Sequence, residues 1–321
     1  MISLPRGPVV IGVEGIVLTA SDRERLLHPL IGSVVLFARN FEATAQLKAL
    51  TQQIRALREP CLLVAVDHEG GRVQRFRDGF TAIPAMRTLG EAWDRDVALA
   101  AREAKRLGLT IANELRAHGV DFSFTPVLDL DYGASTVIGD RALHSNPNAA
   151  AHLACALHEG LRAGGMAGVG KHFPGHGYVA ADSHTDVPVD ARTYAEIVAA
   201  DLVPFAVLAK RGLEAIMPAH VLYPAVDPLP AGYSRIWLRE ILRGKLGFDG
   251  LIFSDDLGMA GAQGAGDLVA RAEASLAAGC DMVLACNDFV AADDLLANWK
   301  PAPSPDLARR TAAMEVRVKA R

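Results

Sequence analysis

Cysteine is scarce. The 321-residue chain has four (Cys61, Cys155, Cys280 and Cys286), and no two of them form a Cys-x-x-Cys pair. That leaves no disulfide framework and no zinc-ribbon spacing, and it predicts buried free thiols in a reducing compartment. Excess charge of one sign is lacking too. The 33 Lys and Arg residues nearly balance 37 Asp and Glu, for a net charge of -4. Nothing electrostatic favours nucleic acid or an anionic membrane as a partner. The start of the chain, Met-Ile-Ser-Leu-Pro-Arg-Gly-Pro, has no basic segment, long apolar segment or cleavage site of a secretory signal. No apolar run is long enough to span a bilayer. Together these features predict a cytoplasmic protein. No Ser/Gly linker, low-complexity tract or repeated block divides the sequence, so residues 1–321 are expected to form a single domain. Two catalytic signatures are missing. Gly12-Val13-Glu14-Gly15, after the first apolar run, does not fit Gly-x-Gly-x-x-Gly, and no Gly-x-Ser-x-Gly sits at a strand–helix turn.

What is present is apolar, periodic and α/β in pattern. Hydrophobic residues make up 50% of the chain and charged residues 22%, enough for a sizeable core. Short apolar runs predict strands at Pro8–Val13, Ser33–Phe37, Leu62–Val66, Phe122–Val127, Ala167–Lys171, Ala215–Met217, Leu251–Phe253 and Met282–Ala285. Their length and unbroken hydrophobicity suit strands covered on both faces of a parallel sheet. Helices are predicted at Thr44–Leu57 with a Thr cap, Arg95–His118, Asn148–Ala163, Tyr194–Lys210, Trp237–Lys245, Asp267–Ala278 and Ala291–Trp299. A last helix is predicted over roughly Ser304–Lys319, with Ser304-Pro305 as its cap and first turn. About eight strand–helix units in this length predict a (β/α)8 barrel, with a doubly wound sheet as the competitor.

In a barrel, functional side chains gather where strands end. The richest such place is Lys171 to Asp186, Lys-His-Phe-Pro-Gly-His-Gly-Tyr-Val-Ala-Ala-Asp-Ser-His-Thr-Asp. It holds three His, one Lys and two Asp but no Glu or Arg, which is not the composition of an ordinary solvated face. The third strand runs into Asp67-His68-Glu69-Gly70-Gly71-Arg72-Val73-Gln74-Arg75, and the fourth into Asp129, with Gly139-Asp140-Arg141 in the loop beyond. The sixth ends at His220 and the seventh at Asp255-Asp256. Each has a plainer use: Asp67 or Asp129 as a cap or ion-pair partner, Arg75 and Arg141 as surface salt bridges, His220 as a core histidine. Of the Asp255-Asp256 pair, one can cap the next helix; both doing only that is improbable, so one is a candidate catalytic carboxylate. Carboxylates plus a positioned acid/base form the chemistry of glycoside cleavage.

These segments together resemble the bacterial β-N-acetylhexosaminidases of glycoside hydrolase family 3, in particular a single-domain cytoplasmic branch that acts in peptidoglycan recycling. The resemblance rests on Lys-His-Phe-Pro-Gly-His-Gly followed by Asp-Ser-His, on Asp-x-Glu-Gly-Gly-Arg-Val-Gln-Arg, and on Ile-Phe-Ser-Asp-Asp-Leu. It runs from about Val9 to about Asn287. It implies that Asp255 is the nucleophile, His184 the general acid/base and Asp182 the partner of His184. It also implies that Asp67, Arg75, Arg141, Lys171 and His172 hold the N-acetylglucosamine unit of a muropeptide or chitooligosaccharide. Neither metal nor cofactor is implied, and a monomer is expected. Gly258 stands where many relatives resemble Ser-Asp-Asp-Leu-Ser-Met, a departure that bears on local loop shape.

Three other readings compete. A metal-dependent hydrolase would use His172, His176, His184 and Asp255. An aldolase-like barrel would use Lys171 as a Schiff-base amine. A non-catalytic sugar-binding module would explain Asp67, Arg75 and Arg141, but not Asp182, His184 and Asp255. Family 3 also includes glucosidases, so a β-glucosidase-like activity is the nearest alternative.

Overall fold

The computed structural model describes residues 2–180 and 187–315. Eight parallel strands form the centre: β1 (Val9–Ile11), β2 (Ile31–Leu36), β3 (Leu63–Val66), β4 (Phe122–Ser123), β5 (Val169–Phe173), β6 (Ala215–Pro218), β7 (Leu251–Asp256) and β8 (Met282–Ala285). They pair in the order β4-β3-β2-β1-β8-β7-β6-β5. The register aligns Val283 with Val9, Val34 with Val64, and Ala215 with both Val169 and Leu251. The expected strands all form, and the order is that of a (β/α)8 barrel. Seven of the eight are buried at every residue, and β7 is buried up to its last two. Burial on both faces is why they read as continuous apolar runs and not as an alternation.

The circle closes between β4 and β5, where pairing is thinnest. Here the contacts are isolated bridges, Phe122 with Ala167 and Val127 with Lys171. The Val169 N–H donates to the Thr125 carbonyl (2.8 Å) and the Leu128 N–H to the Lys171 carbonyl (2.7 Å). Regular β4 stops at Ser123 instead of Val127, because Pro126 has no N–H to give to a ladder. Phe122, Phe124 and Phe253 fill the barrel interior, with ring centroids 5.3 to 5.5 Å apart. Each is fully buried and contributes about 1.5–3 kcal/mol relative to exposure.

The helical layer departs from expectation in five places. Helix α1 (Ala20–Leu26) is new, and Thr19 starts it in a capping box with Asp22. Helix α2 (Thr44–Arg55) is capped by Ala43, with no side-chain cap. Thr44 is its first residue, and the Gln46 side chain accepts from the Glu42 N–H at 2.9 Å. The single helix expected over Tyr194–Lys210 is two, Tyr194–Ala199 and Leu202–Lys210. Pro204 is tolerated in a first turn but would cost a bond and clash inside one long helix. The last helix is Leu307–Ala313, preceded by Asp306 and not by Ser304; Pro301, Pro303 and Pro305 keep residues 301–304 out of regular structure, and a turn at Pro305-Asp306 leads into it. A further helix, Arg87–Trp93, precedes the long Val97–Ala117. No helix among the described residues is long and apolar enough to cross a membrane.

Candidate active site

A cavity of about 630 Å³ opens at the C-terminal ends of the strands and is lined by Asp67, Glu69, Arg75, Arg141, Lys171 and Asp255, among others. One wall begins where β3 ends. Asp67 follows Val66, and the chain folds back in a short hairpin, His68–Gly70 against Val73–Gln74. Gly70 and Gly71 turn it, at φ +116° and +56°, angles that an L side chain resists. The tight turn brings Asp67, Glu69 and Arg75 to the same rim.

Five of these side chains form one ionic chain. Arg75 lies 3.7 Å from Asp67 Oδ2. Lys171 Nζ is 2.7 Å from Asp67 Oδ1 and 2.7 Å from Glu69 Oε1. Arg141 grips both Glu69 oxygens, Nε and Nη2 each at 2.8 Å. The Glu69 side chain is 1% exposed and that of Lys171 is 4%. Burial alone would raise the Glu69 pKa, but Arg141 and Lys171 more than offset it and hold the carboxyl well below its usual range. Burial likewise disfavours charge on Lys171, and Asp67 and Glu69 reverse the sign, so the amine stays protonated. A Schiff-base lysine needs the opposite shift. Three cations against two carboxylates leave donors and acceptors arranged to hold a polyhydroxyl ring.

The second wall is the end of β5. His172 Nδ1 is 2.6 Å from Asp129 Oδ2, and the same carboxylate accepts from the backbone N–H of His172 (3.2 Å) and of His176 (2.7 Å). Burial raises the Asp129 pKa, and His172 and His176 together bring it down further, for a net depression. Fixed on one nitrogen, the His172 ring is oriented towards the cavity, which it lines. His176 lines it too, and burial lowers its pKa.

The third wall carries Asp255 and Asp256 at the end of β7. Asp256 has the structural use: its Oδ1 accepts from the Gly258 N–H (2.9 Å) and its Oδ2 from Asn287 (2.9 Å). A β-carbon at position 258 would sit 3.2 Å from Asp256 Oδ1, so glycine leaves this turn unstrained. Asp255 also lines the cavity, and among the described residues its Oδ1 accepts only from the Asp256 N–H (2.8 Å). Burial would raise its pKa, and His172, His220, that N–H and Lys171 together lower it below 3.8. The neighbour is shifted the other way: burial raises the Asp256 pKa. His220 is fully buried behind this strand end, its Nε2 3.2 Å from the Asp256 carbonyl, and it does not line the cavity.

Of the residues expected at the site, Asp67, Arg75, Arg141, Lys171, His172 and Asp255 all line this one cavity. Asp182 and His184 lie outside the described residues. Glu69 and Asp129 have central positions and were not among the expected site residues. Glu69 had a visible signal, an acid directly before the two glycines that turn the strand end, whereas the role of Asp129 depends on a partner 43 residues away. Among the described residues, no group of three or more His, Cys, Asp or Glu is arranged to hold a metal.

Residues 10–302 match the glycosyl hydrolase family 3 N-terminal domain. The chain is 60% identical over 312 residues to a β-hexosaminidase of Chromobacterium violaceum, an alignment covering 97% of this chain and 87% of that protein. It is 63% identical over 294 residues to a β-hexosaminidase of Bordetella avium, covering 91% and 84%. Among solved structures it is similar to NagZ from Neisseria gonorrhoeae in complex with N-trifluoroacetyl-D-glucosamine. That likeness has a TM-score of 0.95 and 52% identity, and covers 98% of this chain and 92% of that one. The chain belongs to glycosyl hydrolase family 3 and is a glycoside hydrolase of its β-hexosaminidase group.

Proposed function

We propose that this protein is a retaining exo-β-N-acetylglucosaminidase of cell-wall recycling. It releases terminal N-acetylglucosamine from peptidoglycan fragments, GlcNAc-1,6-anhydro-MurNAc with or without its peptide, as a cytoplasmic, monomeric, single-domain enzyme. The observation that carries this reading is the contrast within Asp255-Asp256. One carboxylate is consumed by a turn, while the other faces the cavity, ionised, with a single hydrogen bond among the described residues. A nucleophile must be ionised and uncommitted.

In the first step an Asp255 oxygen bonds to the anomeric carbon as the glycosidic C–O bond breaks, and the leaving oxygen takes a proton from His184. In the second, His184 takes a proton from water, which displaces Asp255 and returns the β-anomer. Histidine begins near the pKa that acid and then base work at neutral pH requires, and Asp182 favours its protonated form. Asp67, Arg75, Arg141, Lys171 and His172 hold the sugar hydroxyls. The bound N-trifluoroacetyl-D-glucosamine of the Neisseria gonorrhoeae structure supports an N-acylated glucosamine as the occupant. The test is turnover of a chromogenic N-acetylglucosaminide beside the matching glucoside. The N-acetyl substrate is expected to be strongly preferred, and equal or reversed preference would favour the β-glucosidase-like reading. Loss of activity on dialysis against a chelator would favour the metal-dependent one.

A further inference from the structure

The cavity has an arc that the sugar-holding residues do not use. They come from the ends of β3 and β5 and the loop after β4, whereas Phe37, Arg39, Cys286 and Asn287 line the cavity from the ends of β2 and β8. At about 630 Å³ the space is in the range of roughly 300–1,000 Å³ that encloses drug-sized ligands, more than one monosaccharide ring requires.

Arg39 is the odd member of the cations there. Arg75 faces Asp67, Arg141 and Lys171 face Glu69, and Arg72 faces Asp140 at 3.4 Å. Arg39 makes no ion pair among the described residues. Its guanidinium is held by three neutral oxygens: Val13 O by Nε (3.3 Å), Asn287 Oδ1 by Nη1 (2.9 Å) and Cys286 O by Nη2 (3.2 Å). The Phe37 ring backs it at 4.3 Å. Gly12 lies against the same carbonyl, where a β-carbon would come within 2.3 Å of Cys286 O and 2.9 Å of Nη2. Burial pushes its pKa below the usual value, and Cys286 and Asp256 offset this only in part. One N–H on each terminal nitrogen is uncommitted. That is the fork with which arginine takes a carboxylate in two parallel bonds.

We propose that Arg39 is a specificity residue for a carboxylate carried by the leaving group, so that the β2–β8 side of the mouth is an anion subsite. This rests on the exo-N-acetylglucosaminidase reading above and narrows its substrate class to acidic leaving groups. A muramyl residue supplies such a group as its lactyl carboxylate, or, when that is amidated, as carboxylates of the peptide.

The test compares wild type with Arg39→Met on four substrates: p-nitrophenyl N-acetylglucosaminide, chitobiose, GlcNAc-1,6-anhydro-MurNAc, and the same disaccharide with its peptide. The thermal midpoint of each protein is measured alongside. Arg39→Met is expected to lower kcat/KM on the acidic disaccharide by roughly 10- to 100-fold, the size of a charge-assisted bidentate pair, mostly through KM. On the two neutral substrates the expected loss is about threefold or less. A similar large loss on the peptide-bearing substrate identifies the peptide carboxylates as a source, and a small one assigns the fork to the lactyl group. Equal losses on neutral and acidic substrates would overturn the proposal and make Arg39 a support for Asn287 and Asp256. So would a wild type that cleaves chitobiose as well as the acidic disaccharide. If the wild type fails on the aryl N-acetylglucosaminide, the exo-N-acetylglucosaminidase reading itself is wrong; if it succeeds there without preferring the acid, only this inference is.

Discussion

Replacing Glu69 with Gln removes one negative charge from the middle of the ionic chain and leaves its volume intact. Glu69 is 1% exposed and, among the described residues, is the only carboxylate within bonding distance of Arg141 and one of two for Lys171. Breaking a buried pair by neutralising one partner costs about 3–5 kcal/mol, because the remaining charges stay buried. With a urea dependence of about 3 kcal/mol per molar, the unfolding midpoint should fall by roughly 1 M or more at pH 7. The pH dependence has a fixed sign. The Glu69 carboxyl is held below its unfolded value, so its stabilisation is complete above that value and is lost as pH falls towards the folded one. The gap between wild type and Glu69→Gln should therefore be widest at neutral pH and narrow below about pH 4. Activity should drop as well, by about tenfold or more in kcat/KM, since Arg141 loses its negatively charged partner and one of its two acceptors. A urea midpoint within about 0.2 M of wild type at pH 7, ~0.6 kcal/mol at the same dependence, would refute the claim that this carboxylate organises the site.

Asp255→Ala should abolish turnover with the thermal midpoint preserved, and a slow fluoroglycosyl substrate should leave sugar on the peptide containing Asp255, with the β-anomer as first product by NMR; label on Asp256 would refute Asp255 as the nucleophile, and an initial α-product would end the double-displacement mechanism. His184→Ala should slow a dinitrophenyl glycoside far less than a natural disaccharide, accumulate glycosyl-enzyme and respond to azide. Equal slowing of both without azide rescue would leave His184 a binding residue only. Because Asp255 is held below its ordinary 3.8, any loss of kcat/KM between about pH 5 and 7 must come from another group, and His184→Ala should remove that limb; a limb that survives the substitution would belong elsewhere.

The barrel was legible because its strands are buried on both faces and so advertise themselves as short apolar runs. The helices were harder for local reasons. Ala20–Leu26 buries only Asp22 and Leu26, so it has almost no apolar face to detect, although Thr19-x-x-Asp22 is a capping box in plain view. The division after Ala199 was readable from Pro204. Six expected site residues meet in one cavity because strand ends converge in a barrel, which is a property of the fold and not of any single motif. Asp129 and Arg39 escaped notice for a different reason. What sets Asp129 apart is a partner 43 residues along the chain, and what sets Arg39 apart is the lack of an acidic partner among the described residues, and neither fact has a local pattern.

The ionic chain at the mouth is also a long-range contact. Lys171 meets Asp67 across 104 residues, and Arg141 meets Glu69 across 72. No fragment ending before β5 contains the complete grip, so competence to hold sugar arrives late, after costly loop closures have been made. A sugar bound there recognises the finished barrel and nothing less folded. N-acetylglucosamine at a hundred times its dissociation constant should therefore deepen the native basin by about 2.7 kcal/mol. Ligand-dependent protection from proteolysis then becomes a direct reading of how much of the population has closed its barrel.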